Sequence, residues 1–212
     1  MLSIDKEDRV AIITLNRAEA VQAHHHSLRE ALHDAIGAVS ADDSVRVALL
    51  TGKEEGFPDG LDVAALGAEP LAVRDGGPTH NPPVAIRRCA KPVIAAIQGA
   101  AIAGGLELVL ACDLVIASTN ARFADTHAQV GVDPSPEFVR RLVQLIGVQR
   151  ANEMSLTGAF LEAEMAYEWD LIGRLTGPQE LASVSRHIAH EMARLPLEVL
   201  VKRKALNGAA YA

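Results

Sequence analysis

The sequence is short of aromatic residues, cysteines and positive charge, and each shortage limits what the protein can be. Aromatic residues make up 3% of the 212-residue chain, so its core must be built from alanine, valine, leucine and isoleucine. The formal net charge of −7 argues against general nucleic-acid binding, which needs a basic surface. The two cysteines, Cys89 and Cys112, lie in apolar contexts without a CxxC partner, which predicts reduced, buried thiols in a cytosolic protein.

The chain also lacks a long apolar run free of charges. The apolar stretch around Glu107 is interrupted by Gln98, Glu107 and Asp113, whereas a membrane-spanning helix needs about 20 predominantly apolar residues. Residues 1–9 are rich in charge and lack the apolar core of a secretory signal. We therefore expect a cytoplasmic protein that neither spans a membrane nor is secreted.

What is present is an alternation of strand and helix patterns. Runs of β-branched and aliphatic residues predict four strands, over residues 10–15, 45–51, 92–97 and 113–117. Ser27 opens a predicted amphipathic helix, and a second, short helix is predicted over residues 61–67. Residues 69–83 contain four prolines and a Gly-Gly pair, which predicts a loop.

Strands that alternate with helices indicate an α/β fold in which helical crossovers join parallel strands. After residue 135 the pattern becomes helical, and residues 179–195 carry apolar side chains at helical spacing. The strand-turn-helix units suggest a spiral stack, although their sequences are not repeats. We expect a core over residues 1–155 and a helical C-terminal region over residues 156–212.

One carboxylate, Glu107, lies inside a long apolar segment just after the pair Gly104-Gly105. A lone buried carboxylate is costly unless something solvates its charge. A glycine pair at a helix start lets a ligand approach the backbone and directs unpaired N–H groups at developing negative charge. An acid/base carboxylate beside such a helix start predicts enolate chemistry next to a carbonyl group.

Two segments, residues 56–63 and residues 98–105, each join a strand to a helix through a glycine-containing turn. If these helix starts face each other, they supply two backbone N–H donors to one oxygen. Neither segment matches the GxGxxG pattern followed by an acidic residue, so a dinucleotide site is not indicated. Two ordinary glycine turns are the alternative interpretation of the same spacing.

Several stretches of the chain together resemble the crotonase, or enoyl-CoA hydratase/isomerase, superfamily. Residues 16–20 read N-R-A-E-A, which is similar to the family's N-R-P-E-A, and residues 57–62 are similar to its F-x-A-G-A-D. The match is closest over residues 91–113, and it continues through residues 121–128 and 155–158. The resemblance covers nearly the whole chain, and it is specific for the superfamily but not for one reaction.

The resemblance implies a crotonase-like ββα spiral core with a helical C-terminal part, assembled as a homotrimer or a dimer of trimers. It also implies an acyl-CoA thioester ligand, with coenzyme A as part of the substrate and no other cofactor or metal ion. Family members usually continue for several tens of residues beyond the position of Ala212, so the C-terminal part is expected to be shortened. Neither a nucleic acid nor a membrane is implied as a partner.

The same resemblance implies roles for individual residues. Glu107 matches one of the two hydratase glutamates and is expected to be the principal acid/base. The backbone N–H groups of Leu61 and Gly104 would form the oxyanion hole. The implied substrate-binding residues are Ala23, Gly60, Asp62, Val63 and Gly105.

The second hydratase glutamate falls at His127 in this chain. A neutral histidine can take a proton or hold water, and histidine titrates near the working pH, although it is not equivalent to glutamate. The expected activity is therefore enoyl-CoA hydratase-like, with His127 as the second polar group. The alternative for His127 is a packed histidine that is bonded to a backbone carbonyl group.

The turn after His127 also departs from the family pattern, because Pro134 and Pro136 lie where the family has a P-G-x-G sequence. Asp133 or Glu137 can orient His127 as a supporting carboxylate. A histidine with an acid near this turn resembles the superfamily's β-diketone hydrolases, which cleave carbon–carbon bonds without coenzyme A. Alternatively, both acids are solvated loop charges.

Three other stretches carry weaker signals. The run His24-His25-His26 is expected to be a solvated helix start, with His24 a candidate polar group near the pocket. The run Lys202-Arg203-Lys204 is either a phosphate contact or a solvated helix face, and Arg17 is a similar phosphate candidate. Besides β-diketone hydrolysis, isomerase activity and a homologue that binds thioesters without catalysis remain open.

Overall fold

The computed structural model describes residues 2–15, 25–52 and 80–209 of the protein. In this part of the chain the strands form two sheets, and helices pack on both faces of the larger one. The strands are β1 Leu2–Glu7, β2 Val10–Leu15, β3 Val47–Gly52, β4 Val93–Ile97, β5 Ala100–Ile102, β6 Leu114–Ser118, β7 Arg122–Ala124, β8 Leu161–Glu162 and β9 Arg174–Thr176. The α-helices are α1 His25–Ala41, α2 Pro82–Arg88, α3 Gly104–Leu110, α4 Pro136–Thr157, α5 Ala163–Glu168, α6 Leu181–Ala193 and α7 Leu197–Ala209.

The larger sheet has six strands in the order β1-β2-β3-β4-β6-β9. From β2 to β9 all neighbours are parallel, as the alternation of strands and helices predicts. At one edge, β1 pairs with β2 as an antiparallel hairpin, which the sequence patterns did not indicate. The reason is that β1 is an exposed edge strand, and its charged residues hide the strand signal.

The four predicted strands and the helices α1 and α6 lie within about two residues of their predicted bounds. The loop predicted over residues 69–83 is wrong at its end, because Pro82 and Pro83 begin α2. Proline fits the first helical turn, where no N–H donor is needed, and the Asn81 side chain accepts a hydrogen bond from the Val84 N–H at 3.1 Å. The short helix predicted over residues 61–67 lies outside the described residues.

Successive residues of each parallel strand face opposite sides of the larger sheet, so both faces are buried. On one face, Ile13 and Ile97 pack in a core that includes α1, α3 and α4. On the other face, Ile12 and Ile94 pack against residues of α6, including Leu181. The cores are aliphatic, as the low aromatic content predicts.

The smaller sheet, β5-β7-β8, brings two distant segments of the chain together. β5 and β7 are parallel, with Ile102 opposite Ala124, and the Ala103 N–H donates to the Ala124 carbonyl oxygen at 3.0 Å. Parallel strands end at the same edge, so the segments that follow them lie side by side. These segments are α3 and the turn that contains His127.

In the basic stretch Lys202-Arg203-Lys204, Lys204 makes contacts within the protein that differ from the two roles considered from the sequence, a phosphate contact and a solvated helix face. The ammonium group of Lys204 on α7 donates to the Lys91 carbonyl oxygen at 3.1 Å and pairs with the Asp113 carboxylate at 2.8 Å. Lys204 therefore ties α7 to the segments that flank β4 and β6, while Lys202 and Arg203 are exposed.

The structure confirms the expected burial of the two cysteines. Cys89 and Cys112 are free and buried, and burial raises the pKa of the Cys112 thiol. Among the described helices, none is both long and apolar enough to cross a membrane.

Candidate active site

Helix α3 places the Glu107 carboxylate in the interior of the protein, where the residue is 2% exposed. The residue before the helix, Ala103, has φ 48° and ψ −117°, a conformation that costs a residue with a Cβ atom about 1–3 kcal/mol. The hydrogen bond from Ala103 to Ala124 helps to hold this conformation. Within the described residues, no group accepts a hydrogen bond from the N–H of Gly104, which begins the helix.

Ser135 provides the solvation that a buried Glu107 requires. Its N–H donates to Oε1 of Glu107 at 2.9 Å, and its hydroxyl donates to Oε2 at 3.1 Å. The same hydroxyl accepts a hydrogen bond from the Phe138 N–H at 3.3 Å and so caps α4. Both carboxylate oxygens are therefore satisfied without another charged group.

His127 follows β7 and is 5% exposed. Its Nδ1 atom lies 2.6 Å from Oδ1 of Asp125, and its backbone N–H donates to the same oxygen at 3.3 Å. Within the described residues, the ring is thus buried and bonded to a carboxylate, not to a backbone carbonyl group. Its ring also packs beside Phe138, with ring centroids 5.7 Å apart.

Asp125 is itself held from a third direction, because the Ser155 hydroxyl donates to its Oδ2 at 2.6 Å. Burial alone would raise the pKa of this carboxyl group. The hydrogen bonds from His127 and Ser155 outweigh burial, and the pKa of Asp125 is lowered. The group is therefore an ionised acceptor at neutral pH.

Ser135 and Ser155 lie at opposite ends of α4, yet they contact two carboxylates that flank the same imidazole ring. A straight helix would separate them by about 30 Å, at about 1.5 Å per residue. The helix instead breaks at Gly147, where φ is 78° and ψ is 158°, a conformation that is essentially restricted to glycine. The break lets both ends of α4 reach the site.

The ring of His127 and the carboxylate of Glu107 face each other. Nε2 of His127 lies 3.7 Å from Oε1 of Glu107, which is beyond a direct hydrogen bond. The gap is wide enough for a small hydrogen-bonding group to be shared between the two atoms.

A groove of about 1080 Å³ reaches Glu107 from the side of α2, α4 and α7. Its lining includes the apolar side chains of Leu110 and Phe138. The described part of its lining also carries the cationic side chains of Arg87, Arg88, Arg140, Arg141, Arg203 and Lys204. Burial lowers the pKa of Arg87, and the carboxylates of Glu137 and Glu107 oppose this effect.

Of the residues predicted for the site, Gly104, Gly105, Glu107 and His127 are all buried, and Glu107 and His127 are brought together. Asp133 and Glu137 are exposed, and the carboxylate that contacts the ring of His127 in the structure is a different one. Asp125 takes that place, because a carboxylate two residues before the histidine can bond both its N–H and its ring. The predicted residues that lie outside the described part are Arg17, Ala23, His24, Gly60, Leu61, Asp62 and Val63.

Three site residues were not predicted: Asp125, Ser135 and Ser155. Two of them carry a local signal. An aspartate two residues before a histidine is a common turn pattern, and a serine followed by proline is a typical helix start. Ser155 carries no such signal, because its partner lies 30 residues away in the chain.

Comparison with known proteins identifies the class to which this fold and site belong. The family model for enoyl-CoA hydratase/isomerase matches residues 5–210. A probable peroxisomal enoyl-CoA hydratase from Arabidopsis thaliana is 33% identical over 97% of this chain and 78% of that protein. The (E)-benzylidenesuccinyl-CoA hydratase of Thauera aromatica is 35% identical over 96% of this chain and 81% of that protein.

A solved structure leads to the same class. The crystal structure of an enoyl-CoA hydratase from Mycobacterium tuberculosis has a TM-score of 0.79 and 36% identity, and the match covers 99% of this chain and 88% of that one. The protein is therefore an α/β enzyme with the crotonase fold. It belongs to the enoyl-CoA hydratase/isomerase family, which confirms the resemblance read from the sequence.

Proposed function

We propose that this enzyme adds water to a 2-enoyl-CoA thioester, with Glu107 as the acid/base and His127 as its partner. The observation that carries this proposal is the 3.7 Å gap between Nε2 of His127 and Oε1 of Glu107. One water molecule that donates a hydrogen bond of about 2.8 Å to each acceptor would bridge this gap. Its oxygen would then be free to attack an electron-poor carbon.

The reaction balances with these two groups alone. The water oxygen bonds to the β-carbon of the enoyl group while Glu107 takes one of its protons. The electron pair of the double bond moves towards the thioester oxygen and forms an enolate. Glu107 then returns the proton to the α-carbon, the thioester carbonyl is restored, and the site regains its starting protonation.

The enolate oxygen needs hydrogen-bond donors at the moment it becomes charged. The Gly104 N–H is a buried donor without an acceptor among the described residues, and it lies in the same helix as Glu107. We assign it to the oxyanion hole together with the N–H of Leu61. A single donor of this kind contributes about 2.7–4 kcal/mol to transition-state stabilisation.

The groove beside Glu107 supports an acyl chain as part of the ligand. Its volume of about 1080 Å³ is at the upper end of the range of small-molecule sites. The names of the relatives agree with this ligand class, because they include a probable enoyl-CoA hydratase and a benzylidenesuccinyl-CoA hydratase. No metal ion or redox cofactor takes part in the proposed reaction, so a chelator should leave the rate unchanged.

We further propose a cytoplasmic homotrimer or dimer of trimers. The support for assembly is a group of exposed apolar side chains with exposures of 46–75%, at the end of α4, in the segment that follows it and on α5: Leu156, Phe160, Met165 and Tyr167. Such side chains are typical of subunit interfaces. Light scattering coupled to size-exclusion chromatography tests the oligomer, and a monomer would contradict it.

The test of the reaction is the hydration of 2-enoyl-CoA thioesters of short and long chain, followed by the loss of conjugated-thioester absorbance. We expect turnover by the wild type and a decrease of kcat of at least about 100-fold in Glu107→Gln. Glu137→Gln is the matched control, because this exposed glutamate lies near the site but outside the pair. Absence of turnover by the wild type for every chain length would contradict hydration.

One other reaction is favoured by a specific observation. The buried pair Asp125–His127 is a histidine with a supporting carboxylate, the arrangement that the resemblance associates with β-diketone hydrolases. A hydrolase of this type would cleave a free β-diketone and would be indifferent to coenzyme A. Turnover of a cyclic β-diketone, measured beside the thioester assay, separates the two reactions.

A further inference from the structure

The buried contacts of His127 determine which of its ring nitrogens carries the proton. We propose that Asp125, held by Ser155, keeps this proton on Nδ1 and so makes Nε2 the acceptor that faces Glu107. Asp125 and Ser155 are then positioning residues for the water site. Their part in catalysis rests on the proposed function, whereas the position of the proton does not.

The carboxylate of Asp125 is in contact with three hydrogen-bonding groups. The backbone N–H of His127 donates to Oδ1, the Ser155 hydroxyl donates to Oδ2, and the ring Nδ1 of His127 lies against Oδ1. An ionised carboxylate can only accept hydrogen bonds. The Nδ1 atom of His127, 2.6 Å from Oδ1, must therefore carry a hydrogen.

The opposite side of the ring faces Glu107. A neutral imidazole has one protonated nitrogen, so a hydrogen on Nδ1 leaves a lone pair on Nε2. This lone pair points towards Oε1 of Glu107, which already accepts the Ser135 N–H. Two acceptors then face each other at 3.7 Å, and a water molecule can donate to both of them.

A carboxylate holds the ring more firmly than a backbone carbonyl group would. A hydrogen bond to an ionised acceptor is about twice as strong as one between neutral groups, so Asp125 fixes the hydrogen on Nδ1. The aspartate of Ser-His-Asp triads holds the tautomer of its histidine in the same way. Ser155 prevents the Asp125 carboxylate from rotating away, and Phe138 packs beside the ring.

Nitrogen-15 NMR of the histidine side chains tests the position of the proton directly. The nitrogen shifts distinguish protonated from unprotonated ring nitrogens, and His127→Gln identifies the signals of His127. We expect the wild type to show a protonated Nδ1 and an unprotonated Nε2. In Asp125→Asn the proton should move partly or fully to Nε2, because an asparagine can present an amide N–H to the ring.

Two further variants distinguish a shift of the proton from a loss of folding. Ser155→Ala removes one hydrogen bond to Asp125 and leaves the carboxylate in place, so it should shift the proton in the same direction but less. Asp42→Asn is the matched control. Asp42 also bonds the N–H and the side chain of the residue two positions later, Ser44, but it lies on the surface.

The kinetic measurement asks whether the position of the proton matters for turnover. We expect kcat to fall about 10- to 100-fold in Asp125→Asn while KM stays within about threefold, because the group acts through His127 and not on the substrate. Asp42→Asn should leave both constants unchanged. An increase of KM without a change of kcat would overturn the positioning role.

The NMR result separates this inference from the proposed reaction. A wild-type protein with the proton on Nε2, or an Asp125→Asn variant with the wild-type tautomer, overturns the inference even if thioesters are hydrated. A proton on Nδ1 that depends on Asp125 supports it even if no thioester is turned over. In that case only the proposed function fails.

Discussion

Nε2 of His127 and Oε1 of Glu107 lie 3.7 Å apart because the segments that carry them follow two paired parallel strands. β5 leads into α3, and β7 leads into the turn of residues 125–127. The smaller sheet thus places the two residues. At the two ends of α4, Ser135 donates to Glu107 and Ser155 donates to Asp125, the partner of His127.

Gly147 allows α4 to fold back, so Gly147→Ala should weaken the site from a distance. No atom lies within 4 Å of a Cβ built at this position, and the cost comes from φ 78° alone. We expect the free energy of unfolding to fall by about 1–3 kcal/mol and kcat to fall with it. Urea unfolding and the hydration assay measure the two effects.

The matched control is Gly37→Ala. Gly37 lies in α1, also has open space around a built Cβ, and has no positive φ. Alanine is a better helix former than glycine, so the free energy of unfolding of this variant should rise by about 0.5–1 kcal/mol. If both glycine variants changed stability in the same direction, backbone strain at Gly147 would not be the cause.

Ser135 carries both the solvation of Glu107 and the cap of α4, and its hydroxyl serves both functions. Ser135→Ala should lower the free energy of unfolding by about 1–3 kcal/mol, because it removes a helix cap and one donor to a buried carboxylate. We expect kcat to fall about tenfold. Ser135→Thr keeps a hydroxyl and should retain most of both properties; equal losses in the two variants would contradict this role.

His127→Glu restores the second glutamate of the family pattern but places a carboxylate against Asp125. Two buried like charges at this distance repel each other, so we expect the single variant to be less stable and nearly inactive. His127→Glu combined with Asp125→Asn removes the repulsion and should hydrate thioesters at least about tenfold faster than the single variant. If the double variant hydrates thioesters no faster than His127→Glu, repulsion by Asp125 is not what makes the single variant inactive.

Asp125 should make the protein sensitive to acid. Its pKa in the folded protein lies below the ordinary carboxyl value of 3.8, so its contribution to stability is complete above that value and is lost as pH falls below it. In urea unfolding from pH 7 to about pH 3, the wild type should lose more stability than Asp125→Asn. Parallel curves for the two proteins would mean that other carboxylates account for the acid effect.

Much of the fold could be predicted because its signals are local. The parallel strands β2, β3, β4 and β6 each appear as an aliphatic run, and α1 and α6 follow from apolar spacing. The hairpin strand β1 and the helix start at Pro82 were not predicted. β1 lies at the exposed edge of the sheet, where charged residues replace the aliphatic pattern of a buried strand. Pro82 and Pro83 are a pair typical of loops, but here they lie in the first turn of a helix that Asn81 caps.

By itself, the sequence determined the superfamily and the α/β architecture and singled out Glu107 and His127 as candidates, because motifs and periodicity are properties of neighbouring residues. Only the tertiary structure decided that the carboxylate in contact with His127 is that of Asp125. It alone also revealed Ser135 and Ser155. Their hydrogen bonds join residues 28 and 30 positions apart, and such contacts exist only after parallel strand pairing and the break at Gly147 bring them together.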